Sequence, residues 1–152
     1  MITVYKTMLD DTEKNILVKE REVDSEYRYL NTPERIVRLM NREFLLNKLA
    51  EEHVYMLAMN SAASVLGIFE VSHGSGNSAY LAPREVFIRA LLCGATQIIL
   101  VHNHPGKSAR PTEEDMNVTK RITEAGKLLN IPLTDHIIIG AEYFSFHEKG
   151  LL

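Results

Sequence analysis

Two histidines one residue apart, His102 and His104, stand where an apolar run ends in a loop bounded by proline and glycine. Residues two apart in an extended segment point to the same side, so both imidazoles can face one point in space. That is a metal-binding arrangement. Imidazole suits zinc at a bond length of about 2.0 to 2.1 Å, and hydrolytic zinc sites use three protein ligands with water in the fourth position. A third ligand is therefore needed. Asp115, eleven residues after His104 in the first turn of a predicted helix, is the best candidate, because Pro105, Gly106 and Pro111 let the loop bring that helix start back over the strand end. Thr112-Glu113-Glu114-Asp115 also reads as a capping box, with aspartate in place of the usual glutamate or glutamine. Taken alone, Thr112 and Asp115 read as a helix cap; taken together with His102 and His104, the balance shifts towards a ligand set.

Other candidates carry less. His136, after Asp135 on a predicted strand, is expected beside the site or as a packed strand histidine, and His53 and His73 are expected near the cleft side without a ligand role. His147-Glu148 begins like His-Glu-x-x-His, but position 151 is leucine, and a single cysteine cannot supply the Pro-Cys-x-x-Cys of zinc deaminases. That cysteine, Cys93 in ALLCGA, reads as a buried small hydrophobe.

The elements that must position these residues follow from pattern. Residues 2–9 and 16–23 are extended in type and separated by Asp10, Asp11 and Asn15, which predicts a β-hairpin or arm within residues 1–30. Asn31-Thr32-Pro33-Glu34 carries the signals of a helix start, and Ile36, Val37, Met40, Phe44, Leu45 and Leu49 form one apolar stripe, predicting a helix to about Glu51. Residues 53–59 and 66–71 read as strands, 72–78 as a loop, and Pro83 opens a helix ended by Gly94. The run QIILV at 97–101 reads as a central strand buried on both faces. Thr112 opens a third helix closed by Asn130 and Pro132, and 136–139 and 143–146 complete the strands. This alternation predicts an α/β or α+β class, a central mixed sheet flanked by helices.

Composition sets the frame. A chain of 152 residues, 45% hydrophobic and 24% charged, fits one soluble domain. Its net charge of -3 supplies no general field to attract phosphate backbones, which disfavours nucleic acid as a primary partner. No apolar run approaches the roughly 20 residues that span a bilayer, MITVYKTMLDDTEKN lacks the pattern of a signal peptide, and one cysteine agrees with a reducing compartment. No membrane association and a cytoplasmic location are expected.

The spaced residues resemble a known family. His102-Asn103-His104-Pro105, followed by Thr112 and Asp115, is similar to the JAMM motif of the JAB/MPN metalloproteins: His-x-His, seven residues, serine, two residues, aspartate. Pro83-Arg84-Glu85-Val86-Phe87, ILVHNHP, Asp135-His136-Ile137-Ile138 and the run from Phe144-Ser145-Phe146 to Gly150-Leu151-Leu152 resemble its RadC branch, so the likeness covers residues 32–152. It implies a JAB/MPN domain over 31–152, of the cytidine deaminase-like fold, holding one Zn2+ through His102, His104 and Asp115. The activity implied is that of a metallopeptidase or isopeptidase, with Glu52 as general base, Glu51 as the poorer alternative, and a peptide or protein substrate. The motif's serine is Thr112 here, which keeps the hydroxyl implied to support the oxyanion and adds a methyl group. The loop Gly106-Lys107-Ser108-Ala109-Arg110 is more basic than the Ser-Gly-Asp type usual in the branch. A non-catalytic MPN-type binding module and a DNA-repair accessory are the alternative functions. The helix-hairpin-helix region of longer RadC proteins is not found in this sequence, and the oligomeric state is left open, a homodimer included.

Overall fold

The computed structural model describes residues 1–27, 29–74 and 81–152. In chain order its elements are β1 (Ile2–Leu9), β2 (Asn15–Val23), α1 (Pro33–Phe44), β3 (Glu52–Met59), β4 (Val65–Gly74), α2 (Pro83–Cys93), β5 (Gln97–Asn103), α3 (Glu113–Leu129), β6 (Leu133–Ile139) and β7 (Tyr143–Ser145). The seven strands form one mixed sheet in the order β2-β1-β4-β3-β5-β6-β7, with β1–β4 and β5–β6 parallel and the other pairs antiparallel. The class is α+β, as expected. No described helix is long and apolar enough to cross a membrane.

Strand parity divides the core in two. On β3, Tyr55, Leu57 and Met59 pack with Ile36, Leu39 and Met40 of α1, while Val54, Met56 and Ala58 pack with Val86, Phe87 and Ala90 of α2 and Ile122 of α3. Both faces are therefore covered, which is why β3 and β5 read as continuous apolar runs rather than alternating ones. The first residues of the chain belong to this assembly. β1 and β2 form a hairpin joined to the sheet by Val4↔Ile68 and Tyr5↔Phe69, and Ile2, Val4 and Val23 lie in the α1-side core.

Several boundaries differ from the sequence expectation, among them β6, which begins at Leu133 rather than at His136. The first helix stops at Phe44 rather than near Glu51, because Leu45 turns left-handed (φ 53°) and gives its N–H to the Met40 carbonyl; a single 3-10 turn, Leu46–Lys48, follows. Periodicity placed Leu45 in the buried stripe, yet it is Leu46 that is fully buried and Leu45 that is exposed. Residues 72–74 of the predicted loop belong instead to β4, which runs through Gly74; the rest of that prediction, 75–78, lies outside the described residues. β5 extends to Asn103, which puts His102 inside the strand.

Candidate metal centre

His102 and Asn103 end β5 with opposite orientations, and the His104 N–H bonds to the Ile139 carbonyl (2.8 Å), so the chain stays extended for one more residue. Both imidazoles thereby face the α3 side. The loop that follows is anchored on the turn after β6: the Ala141 N–H donates to the Lys107 carbonyl at 2.7 Å. A Cβ on Gly140 would lie 2.3 Å from that same oxygen, so only glycine lets the turn approach the loop. The loop delivers Thr112 as N-cap of α3. Its hydroxyl accepts from the Asp115 N–H (3.2 Å), and the Asp115 Oδ2 accepts from the Thr112 N–H (2.8 Å), a complete capping box.

The same carboxylate turns its oxygens to the histidines. Asp115 Oδ1 lies 3.1 Å from His102 Nε2, Oδ2 lies 3.1 Å from His104 Nε2, and the two imidazole nitrogens are 3.1 Å apart. Capping and convergence on the histidines are thus two uses of one side chain. The cap fixes the rotamer that the cluster needs.

Hydrogen bonding assigns the protons in this cluster. The Thr119 hydroxyl donates to the Asp115 carbonyl (2.7 Å), so towards His136 Nδ1 (2.6 Å) it accepts, and His136 carries its proton there. Burial, reinforced by the neighbouring His102, holds the His136 pKa well below the usual imidazole range, so its Nε2 is a bare acceptor for the His102 Nδ1–H at 2.8 Å. His104 Nδ1 donates to the Ser108 carbonyl at 2.7 Å. With the rings neutral, both Nε2 atoms present lone pairs, aimed at each other and at a carboxylate. Such a group can hold a cation, and His102, His104 and Asp115 offer the two nitrogens and one oxygen suited to zinc.

The electrostatics express the same demand. Burial works to raise the Asp115 pKa, but the two imidazoles that face the carboxylate overcome it and hold the carboxyl well below its ordinary value. The Asp115 carboxylate in turn raises the pKa of His104.

Glu52, the first residue of β3, points to the same side: its Oε1 lies 3.9 Å from His102 Nε2 and its side chain is 14% exposed. Its position depends on a residue that sequence reasoning passed over. Asn103, almost wholly buried, accepts from the His53 N–H (2.7 Å) and donates to the Glu51 carbonyl (2.9 Å), gripping the backbone on both sides of Glu52. The signal available was strand alternation, which sends Asn103 away from the two histidines. Thr119 was also missed, although it lies one helical turn after Asp115. Glu51, by contrast, pairs with His73, and His53 stacks on His73, on the α1 side of the sheet. The sequence reading set His53 and His73 near the cleft. Adjacent residues of a strand face opposite ways, so once Glu52 faces α3, His53 cannot.

A cleft of about 1050 Å³ lies over the cluster, walled by Glu52, His104, Arg110, Thr112 and Arg121. The sequence pattern of the RadC-like JAB domain family matches residues 30–151. The chain belongs to this family. Relatives include UPF0758 proteins of Clostridium acetobutylicum (45% identical over 108 residues, 70% of this chain and 47% of the relative), Desulfitobacterium hafniense (39% over 124 residues, 81% and 54%) and Alkaliphilus metalliredigens (40% over 124 residues, 81% and 53%). The chain spans about half the length of these relatives. Its sheet and helices agree with a JAB/MPN-type fold.

Within this RadC-like JAB domain, the chain from Thr119 through His136 to His102 predicts a measurable effect. His136→Ala is expected to weaken metal affinity by about 10- to 100-fold, the usual consequence of removing the partner that orients a ligating histidine. Zinc competition with a chromophoric chelator measures it, and an unchanged dissociation constant would show that His102 needs no such support.

Proposed function

We propose that this domain is a zinc-dependent hydrolase of peptide or isopeptide bonds, with His102, His104 and Asp115 as metal ligands. The observation that carries the reading is the convergence of two imidazole nitrogens and one carboxylate beside Glu52, at the floor of an open cleft. When bound there, zinc supplies Lewis acidity towards a carbonyl and lowers the pKa of water towards about 7.

The protein's own residues supply the rest. Glu52 accepts the proton of the attacking water and returns it to the leaving amine, a role open to a carboxylate that is fixed in place but still reached by solvent. The Thr112 oxygen is occupied as an acceptor in the capping box, while its hydroxyl proton has no acceptor among the described residues. That proton is free to bind the carbonyl oxygen as negative charge develops on it. Arg110 and Arg121 stand in the cleft walls with Glu113 and Glu114, a mixed lining that suits a peptide chain better than a polyanion.

The test is a proteome-derived peptide library, including branched isopeptides, incubated with the zinc-loaded chain. New amino groups read by mass spectrometry should appear, vanish after chelation and return with one equivalent of Zn2+. Cleavage that survives complete metal removal overturns the proposal, as does cleavage no greater than that of the Glu52→Gln variant.

A further inference from the structure

A second group of metal-binding side chains lies at the same end of the sheet but on its α1 side. His53 of β3 and His73 of β4 are directly opposed in the antiparallel register, and their rings stack with centroids 4.1 Å apart and planes 13° from parallel. Two carboxylates bracket them. Glu51 meets His73 at Nε2, and Glu70 Oε1 lies 2.5 Å from His53 Nδ1.

This grouping depends on a β-bulge. Along a regular strand Glu70 and His73, three residues apart, point to opposite faces. The register shifts between Val54↔Ser72 and Tyr55↔Glu70, so β4 carries an extra residue, Val71, against β3. Val71 keeps its side chain on the α2 side, and the extra residue brings both Glu70 and His73 to the face of His53.

We propose that Glu51, His53 and His73 form a second site for a divalent transition-metal ion of borderline softness, such as Zn2+ or Cu2+, with Glu70 orienting the His53 ring. One donor atom from each of the three residues already lies within 4.8 Å of the others. Ligand atoms on a tetrahedral ion at about 2.1 Å sit about 3.4 Å apart, so a modest ring tilt closes the set. Glu51 and His73, each about half exposed, have the room to make that tilt. Charge favours the same occupant. A divalent ion balances the carboxylates with both rings neutral. Imidazole and carboxylate together select such an ion over Mg2+ or Ca2+, which prefer all-oxygen shells. The open position of the site leaves room for water in the remaining coordination positions.

The site is independent of the His102 cluster, and one titration separates the two. Apo full-length chain is titrated with Zn2+ by calorimetry, with bound metal counted after gel filtration. Wild type should take two equivalents, His102→Ala one, and the pair His53→Gln with His73→Gln one. In the His102→Ala background, Cu2+ should give an electron paramagnetic resonance spectrum with coupling to two nitrogens, lost in the His53→Gln/His73→Gln pair. Glu51→Gln, a single exposed change, should weaken this second equivalent at least about tenfold without altering circular dichroism. If the His53→Gln/His73→Gln pair binds as many ions as wild type, the second site is overturned. If His102→Ala removes all bound metal, the second site is again overturned while the first reading stands; if His102→Ala removes none, it is the first reading that falls.

Discussion

Glu52→Gln is expected to leave the protein folded and zinc-loaded while lowering amide hydrolysis by roughly 10²- to 10⁴-fold, the range supplied by a positioned general acid–base group. At 25 °C that is about 2.7 to 5.5 kcal/mol of transition-state stabilisation. The change is nearly isosteric and removes only the capacity to take a proton. Asn103 holds the backbone at Glu51 and His53, so the amide of glutamine occupies the place of the carboxylate. Glu52 also makes no hydrogen bond among the described residues that the substitution would strand. The loss should therefore fall on kcat with KM little changed. Glu51→Gln is the matched control: its carboxylate meets His73 on the far side of the sheet, and hydrolysis should persist. Equal rates for wild type and Glu52→Gln would remove Glu52 from the reaction.

The uneven legibility of this chain has physical causes. β5 was readable because a strand covered on both faces has no reason to alternate, and QIILV does not. The start of α3 was readable because capping is local: Thr112 and Asp115 are three residues apart and need nothing else to find each other. The end of α1 was not, since Leu45 and Leu46 are both apolar and only tertiary packing decides which is buried. In the site, His102 and His104 announce themselves by spacing, whereas the partners that give them meaning are distant in sequence. His136 is 34 residues from His102, and the Asn103 grip on His53 spans 50. The bulge at Val71 likewise belongs to the pairing of two strands and not to either sequence alone. Even so, parity alone would have separated His53 from Glu52.

His102→Ala should cost more than a ligand. Metal affinity at the His102 cluster is expected to fall by more than about 100-fold, exceeding the loss usual for a mere orienting partner. The metal-free protein should also become less stable. His102 is 2% exposed, and its Nδ1–H is the donor to His136 Nε2; alanine leaves that buried nitrogen unsatisfied, at about 1 to 3 kcal/mol, and opens a cavity besides. His104 differs in just this respect. Its side chain is 13% exposed and its Nδ1 partner, the Ser108 carbonyl, sits in a loop, so His104→Ala should forfeit the metal equally but lose less apo stability. Urea denaturation of both variants with chelator present, then with zinc, separates the two terms. The wild-type protein should gain about 2.7 kcal/mol when free zinc exceeds the dissociation constant a hundredfold, and neither variant should gain this from the cluster. The comparison is best made with His73→Gln in every protein, so that zinc at the opposite face contributes nothing. If zinc stabilises His102→Ala as much as its parent, this cluster is not the metal site.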